Sequence, residues 1–176
     1  MAVPGYQQPC LWNSILTLLL LGLTTGLPCQ HLWTLDNTLS WDGLQLLHDM
    51  APTPLQTCDY LQQPPFFPDT LRHTNLNTQQ AAATALCILQ HLLHTLSSNT
   101  TSQPWHTQPR HDLLNQLQHY IHHLRKCLPH HAGLFKGPRN PILTINKYFR
   151  DIHRFLRAHN HSACAWDHVR LEARDS

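Results

Sequence analysis

The sequence predicts an all-α protein, a five-helix bundle of up-up-down-down topology. Three observations lead there. Apolar residues recur at three- and four-residue spacing along most of the chain, and no stretch alternates apolar and polar residues long enough to propose a strand. One connection, the 27 residues from Ala51 to Asn77, reaches much farther when extended than the roughly 20 Å of the helix before it. A crossover of that length lets neighbouring helices run parallel, and loops of that size often carry function.

The first predicted helix, about Thr38 to Met50, places Leu39, Leu46, Leu47 and Met50 inward and is stopped by Pro52 and Pro54. The second, about Thr78 to Ser97, carries Ala82, Ala85, Leu86, Leu89, Leu92, Leu93 and Leu96 on one stripe. Cys87 falls about 160° from the centre of that stripe and is expected to face solvent. The third helix, about Pro109 to Leu128, turns Leu113, Leu114, Leu117, Tyr120, Ile121 and Leu124 inward. Pro109 and Asp112 suit its first turn, and Pro129 ends it. The fourth opens with Asn140 as N-cap and Pro141 at the first helical position, then buries Ile142, Ile145, Phe149, Ile152 and Leu156. The fifth starts near Ser162 with Ala165, Trp166, Val169 and Ala173 inward, Trp166 in the core.

Composition narrows the function classes. With 176 residues the chain suits one domain. Its glycines lack the spacing that closes backbone amides on a phosphate, which excludes nucleotide-binding loops. A net charge of +2 lacks the concentrated basic footprint of a nucleic-acid protein, and 16 His outnumber 12 Lys and Arg, so charge depends on pH. No Ser/His/Asp order, Cys/His dyad or carboxylate pair stands out, so no enzyme activity and no cofactor are expected. His119, His122 and His123 have metal-ligand spacing on the third helix, and a His-rich secreted metal-binding protein is the rival reading from another class. No carboxylate or free Cys accompanies them, and a wet face explains them better. On the fourth helix Lys147, Arg150, Arg154 and Arg157 form an outer basic stripe, read as a solvated face or as a receptor-steering or heparin-like contact.

Ile15 to Leu23 is an apolar run of nine residues, too short for a membrane span of about 20 and suited to an export signal. Residues 1–28 are accordingly expected to be a signal peptide cut between Gly26 and Pro28, leaving 29–176 as one secreted domain with no membrane insertion. Outside the cytosol cysteines oxidise. Five remain, Cys29, Cys58, Cys87, Cys127 and Cys164, and counting alone leaves their connectivity open. The protein is expected to be monomeric, with Cys87 able to link a disulfide dimer. Asn99 and Asn160 each begin a glycosylation sequon.

The run Cys164-Ala-Trp-Asp-His-Val-Arg-Leu-Glu172 is specific enough to name a family. Together with the positions of Cys29, Cys58 and Cys127 and the stretch Leu46-Leu-His-Asp-Met-Ala-Pro52, it resembles the type I interferons, most closely those of birds, over essentially the whole chain. The resemblance implies the disulfides Cys29–Cys127 and Cys58–Cys164. It also implies a receptor of two chains, with Asp59, Tyr60, Leu61 and Gln62 beside Arg170, Leu171 and Arg174 on the higher-affinity face. The surface of the second to fourth helices would meet the other chain, and bringing the two together would activate attached kinases and an antiviral transcription programme. Two departures are visible: Gln62 stands where a basic residue is expected, and the last helix stops early at Glu172-Ala-Arg-Asp-Ser176. A folded variant that binds receptor without signalling is the alternative they raise.

Overall fold

The computed structural model describes residues 42–51, 58, 65, 67–72, 74–98, 105–128, 135 and 140–175. Among these there are six helices and no strand: α1 over residues 42–50, α2 (Asp69–Arg72), α3 (Thr78–Leu96), α4 (Thr107–Cys127), α5 (Pro141–Ala158) and α6 (Ala163–Asp175). Five correspond to the helices expected from periodicity, with α1 described only from residue 42. The sixth, α2, is one turn inside the long connection, which was expected to hold no helix. It exists because Phe67 just before it and Leu71 within it drop into the core.

Local chemistry sets the helix ends. At α3, Asn77 Oδ1 accepts from the Gln80 backbone N–H at 2.9 Å while Gln80 Oε1 accepts from the Asn77 N–H at 3.1 Å, a reciprocal capping box. The other end of α3 is closed by Arg110 of α4, whose Nε and Nη2 donate to Leu96 O at 3.1 and 2.9 Å. Helix α4 begins two residues before Pro109. Its N-cap, His106, makes no side-chain cap, and its N–H donates instead to Met50 O at 2.8 Å, tying α4 to the end of α1. Asn140 caps α5 by accepting from the Ile142 N–H at 2.9 Å, with Pro141 in the first turn as expected. Between α5 and α6, Asn160 and His161 both have φ of 51°, and the His161 N–H donates back to Leu156 O at 2.7 Å. Two successive left-handed residues turn the chain directly into α6, where Ser162 Oγ accepts from the Ala165 N–H at 3.3 Å.

Helix α3 is the centre of the bundle, packed against both α4 and α5, and α5 packs on α6. The alanines at 81, 82, 83 and 85 are buried, as are Leu86, Ile88, Leu89, Leu92 and Leu96. Thr84 and Thr95 are buried too. Their hydroxyls donate to the carbonyls one turn back, Gln80 O at 2.7 Å and His91 O at 2.8 Å, so neither is left unsatisfied. Trp166 of α6 meets Trp105 edge-on, ring centroids 5.2 Å apart, and Phe67 meets Tyr148 of α5 in the same way at 5.5 Å. The inward residues expected on α4 and α5 are buried, except that Leu114 and Ile142 lie half-buried at the edge.

Candidate functional site

Helix α6 holds three distant parts of the chain at once. Cys164 in its first turn is bonded to Cys58 across 106 residues, with Cα atoms 5.3 Å apart. One turn on, His168 Nε2 donates to Cys58 O at 3.1 Å, so the same point of the loop is held by a covalent and a hydrogen bond. A further turn along, Glu172 Oε1 accepts from the Phe67 N–H at 2.8 Å and from the Tyr148 hydroxyl at 3.2 Å. On the flank towards α1, Arg170 donates through Nε and Nη2 to Asp167 Oδ1, at 3.0 and 2.8 Å, and through Nη1 to Leu47 O at 3.2 Å. The family-like run from Cys164 to Glu172 is thus a clamp: Ala165, Trp166 and Val169 fill the core while its polar residues fasten α1 and the long connection.

This placement corrects one expectation. Arg170 was expected on the surface beside Arg174, but it is 1% exposed and its ion pair with Asp167 lies inside. Asp167, three residues earlier on the same helix, supplies the counter-charge that lets a guanidinium sit there. Leu171 is partly exposed, and the side chain of Arg174 lies outside what is described, as does that of Cys127. Asp59, Tyr60, Leu61, Gln62, Cys29 and Asn99 also lie outside the described residues. Cys58 nevertheless anchors the chain immediately before Asp59 against α6. Asn160 is exposed.

Cys87 is the second correction. It was placed opposite a single apolar stripe, yet α3 has neighbours on several sides, and the thiol is half-buried against the core. It forms part of the wall of a cavity of about 330 Å³ with Ala83, Leu86, Phe135 and Ile142. Burial pushes its pKa up to about 11. A thiol so rarely ionised is a poor partner for intermolecular exchange.

The basic stripe of α5 does lie outward: Lys147, Arg150, Arg154 and Arg157 are all exposed, Arg154 paired with Asp151 at 2.6 Å. Beside it, α3 and α5 bring imidazoles together. His94 and His153 have ring centroids 5.7 Å apart, and His91 stacks on Phe149 at 4.9 Å while its Nε2 donates to Asn146 Oδ1 at 2.7 Å. Sequence reasoning missed this grouping, because His153 is remote in sequence from His91 and His94 and the α3–α5 packing joins them. Among the described residues no three His, Cys, Asp or Glu are grouped so as to hold a metal ion. No described helix is long and apolar enough to cross a membrane.

A helical bundle with a long, disulfide-held crossover is the architecture of the helical cytokines. The comparisons narrow that class. Residues 33–176 match the model of the interferon alpha/beta domain. Interferon type B of chicken (Gallus gallus) is 49% identical, over 97% of this chain and 85% of its own length. An interferon of turkey (Meleagris gallopavo) is 49% identical over 99% and 92%, and interferon alpha-3 of dog (Canis lupus familiaris) 31% identical over 93% and 88%. The chain belongs to the interferon alpha/beta family. Members are secreted cytokines of antiviral innate immunity, not enzymes, and membership implies an interferon receptor as partner.

Proposed function

We propose that this interferon signals by joining the two chains of a type I interferon receptor, whose attached kinases then drive a JAK-STAT-type antiviral response. The observation that carries the reading is the Cys58–Cys164 bond with its companion from His168, which seats the chain entering Asp59 on α6. In this reading Asp59, Tyr60, Leu61 and Gln62, with Leu171 and Arg174, form the face for the higher-affinity receptor chain. Arg170 acts behind that face as a positioning residue. The face of α3, α4 and α5 meets the second receptor chain. Export by a signal over residues 1–28, a second disulfide Cys29–Cys127, glycans on Asn99 and Asn160 and a monomeric state complete the proposal.

The test is an interferon-responsive reporter in avian cells treated with the purified, disulfide-bonded chain 29–176. The expected result is a response that Tyr60→Ala and the double variant Leu171→Ala, Arg174→Ala weaken at unchanged melting temperature. A folded, disulfide-bonded sample that leaves the reporter silent would falsify the agonist reading.

A further inference from the structure

The charges of the molecule are unevenly placed. Helices α3, α4 and α5 together carry seven Lys and Arg against two acidic residues, Asp112 and Asp151, and α3 has no acidic residue at all. Lys147, Arg150, Arg154 and Arg157 form a row about 15 Å long on the outside of α5, as ten residues at helical rise require. On the α3 side of this row the surface continues into the His94–His153 pair. It then opens into a groove of about 580 Å³ between α3 and α4, whose lining includes His94, His122 and Arg125.

Among the described residues, no carboxylate acts on the histidine seam. Thr95 donates its hydroxyl proton to His91 O at 2.8 Å, so its oxygen is left to accept from His153 Nε2–H at 3.3 Å, and Nδ1 is the nitrogen that remains to be protonated. Burial first, then the neighbouring His94, His91, Arg157 and His161, hold the His153 pKa below the ordinary value. Every charged group acting on it is cationic or becomes so in acid: His91 and His94 from α3, Arg157 from α5, His161 from the turn. An anion laid along the seam supplies what the fold omits, so anion binding and proton uptake favour each other.

We propose that the α3–α5 seam and the outer row of α5 bind a sulfated polysaccharide chain, and bind it more tightly as the medium acidifies. The seam and the outer row are one part of the face proposed for the second receptor chain, and this part fits a flexible polyanion better than an acidic protein. Protein hot spots rest on buried aromatic or aliphatic anchors. Leu143 is the large hydrophobic side chain most exposed among the described residues, at 60%, and it sits in the first turn of α5, about 15 Å along the axis from His153. What the seam offers is a line of cations, which suits a polymer of repeated anionic groups.

The experiment measures retention of the full disulfide-bonded protein on immobilised heparin at physiological salt, at pH 7.4 and at pH 6.0. The expected result is binding at pH 7.4 that declines as salt rises and that Arg150→Ala with Arg157→Ala weakens by about three- to tenfold. At pH 6.0 binding tightens several-fold, and His94→Asn with His153→Asn removes most of that gain. His94→Asn alone, at an exposed position, removes part of the gain and separates charge from any packing effect at His153. No retention at either pH overturns the proposal. So does full retention by the double arginine variant, or an unreduced acid gain in both histidine variants. Normal heparin binding by the arginine variant with a diminished reporter response assigns the face to an acidic receptor surface and overturns it as well.

Discussion

Burying a guanidinium costs several kcal/mol unless its charge and its donors find partners, and at Arg170 the Asp167 carboxylate and the Leu47 carbonyl give each of the three nitrogens one. Removing one partner strands the other. Arg170→Ala is therefore expected to lower stability by about 3–5 kcal/mol, and the joint replacement Asp167→Leu, Arg170→Met by much less, in urea unfolding followed by circular dichroism. A cost for Arg170→Ala below about 1 kcal/mol, the range of exposed pairs, would place the pair at the surface. The sequence held a sign of this arrangement, an Asp and an Arg three apart on one helix, but the same spacing serves exposed pairs such as Asp151 with Arg154. Only packing separates the two cases. Cys87 carries a similar lesson, since a residue opposite one apolar stripe is exposed only if nothing packs on that side. With its pKa at about 11, roughly one thiol in several thousand is ionised near neutral pH. Alkylation by iodoacetamide should therefore be slow at pH 7.4 and rise steeply towards pH 10, and non-reducing electrophoresis should show monomer. Rapid alkylation at pH 7.4 contradicts the burial.

At the scale of elements, the helices that declared themselves were those whose ends and faces are encoded locally. Asn140 with Pro141 marked α5 because both residues act within one turn. The start of α4 was misplaced by two residues because Thr107 and Gln108 precede a proline that also suits a first turn, and the bond that holds the start comes from Met50, far away in sequence. The α3 capping box is worth about 1 kcal/mol, so Asn77→Ala should lower the melting temperature, with Asn77→Asp a near-neutral control. The α3–α5 seam has its own pH dependence. His153 titrates lower in the fold than in the unfolded chain, so as pH falls below about 6.5 the unfolded state takes up its proton first. The stabilisation is full above that pH, shrinks through the window down to the lowered native value, and then levels off. Thermal unfolding between pH 7.5 and 5 should show the decline, reduced in His153→Asn. An identical profile in that variant would remove His153 as its source.

Across the whole molecule, the bundle class was legible because helical spacing is a local property repeated many times. The clamp was not, since nothing in spacing alone says that His168 finds Cys58 or that Glu172 finds Phe67. Closing a loop of 106 residues restricts the unfolded chain strongly, and the Cys58–Cys164 bond is worth about 4–5 kcal/mol in the chain-entropy model. Cys58→Ser with Cys164→Ser should show a loss of that order in urea unfolding. Its reporter activity should fall even at temperatures where circular dichroism shows it folded, because the covalent link that seats the chain entering Asp59 on α6 is then gone. Full activity in that variant would separate the clamp from signalling. The same links impose an order on biosynthesis. Leu47, Cys58 and Phe67 find their partners in Arg170, Cys164 and Glu172, all made a hundred or more residues later. At about 5–20 residues per second, α1 and the crossover wait roughly 5–20 s for α6 to emerge, with their apolar faces uncovered. The nascent chain is then a client for folding factors, and its last helix decides when it ceases to be one.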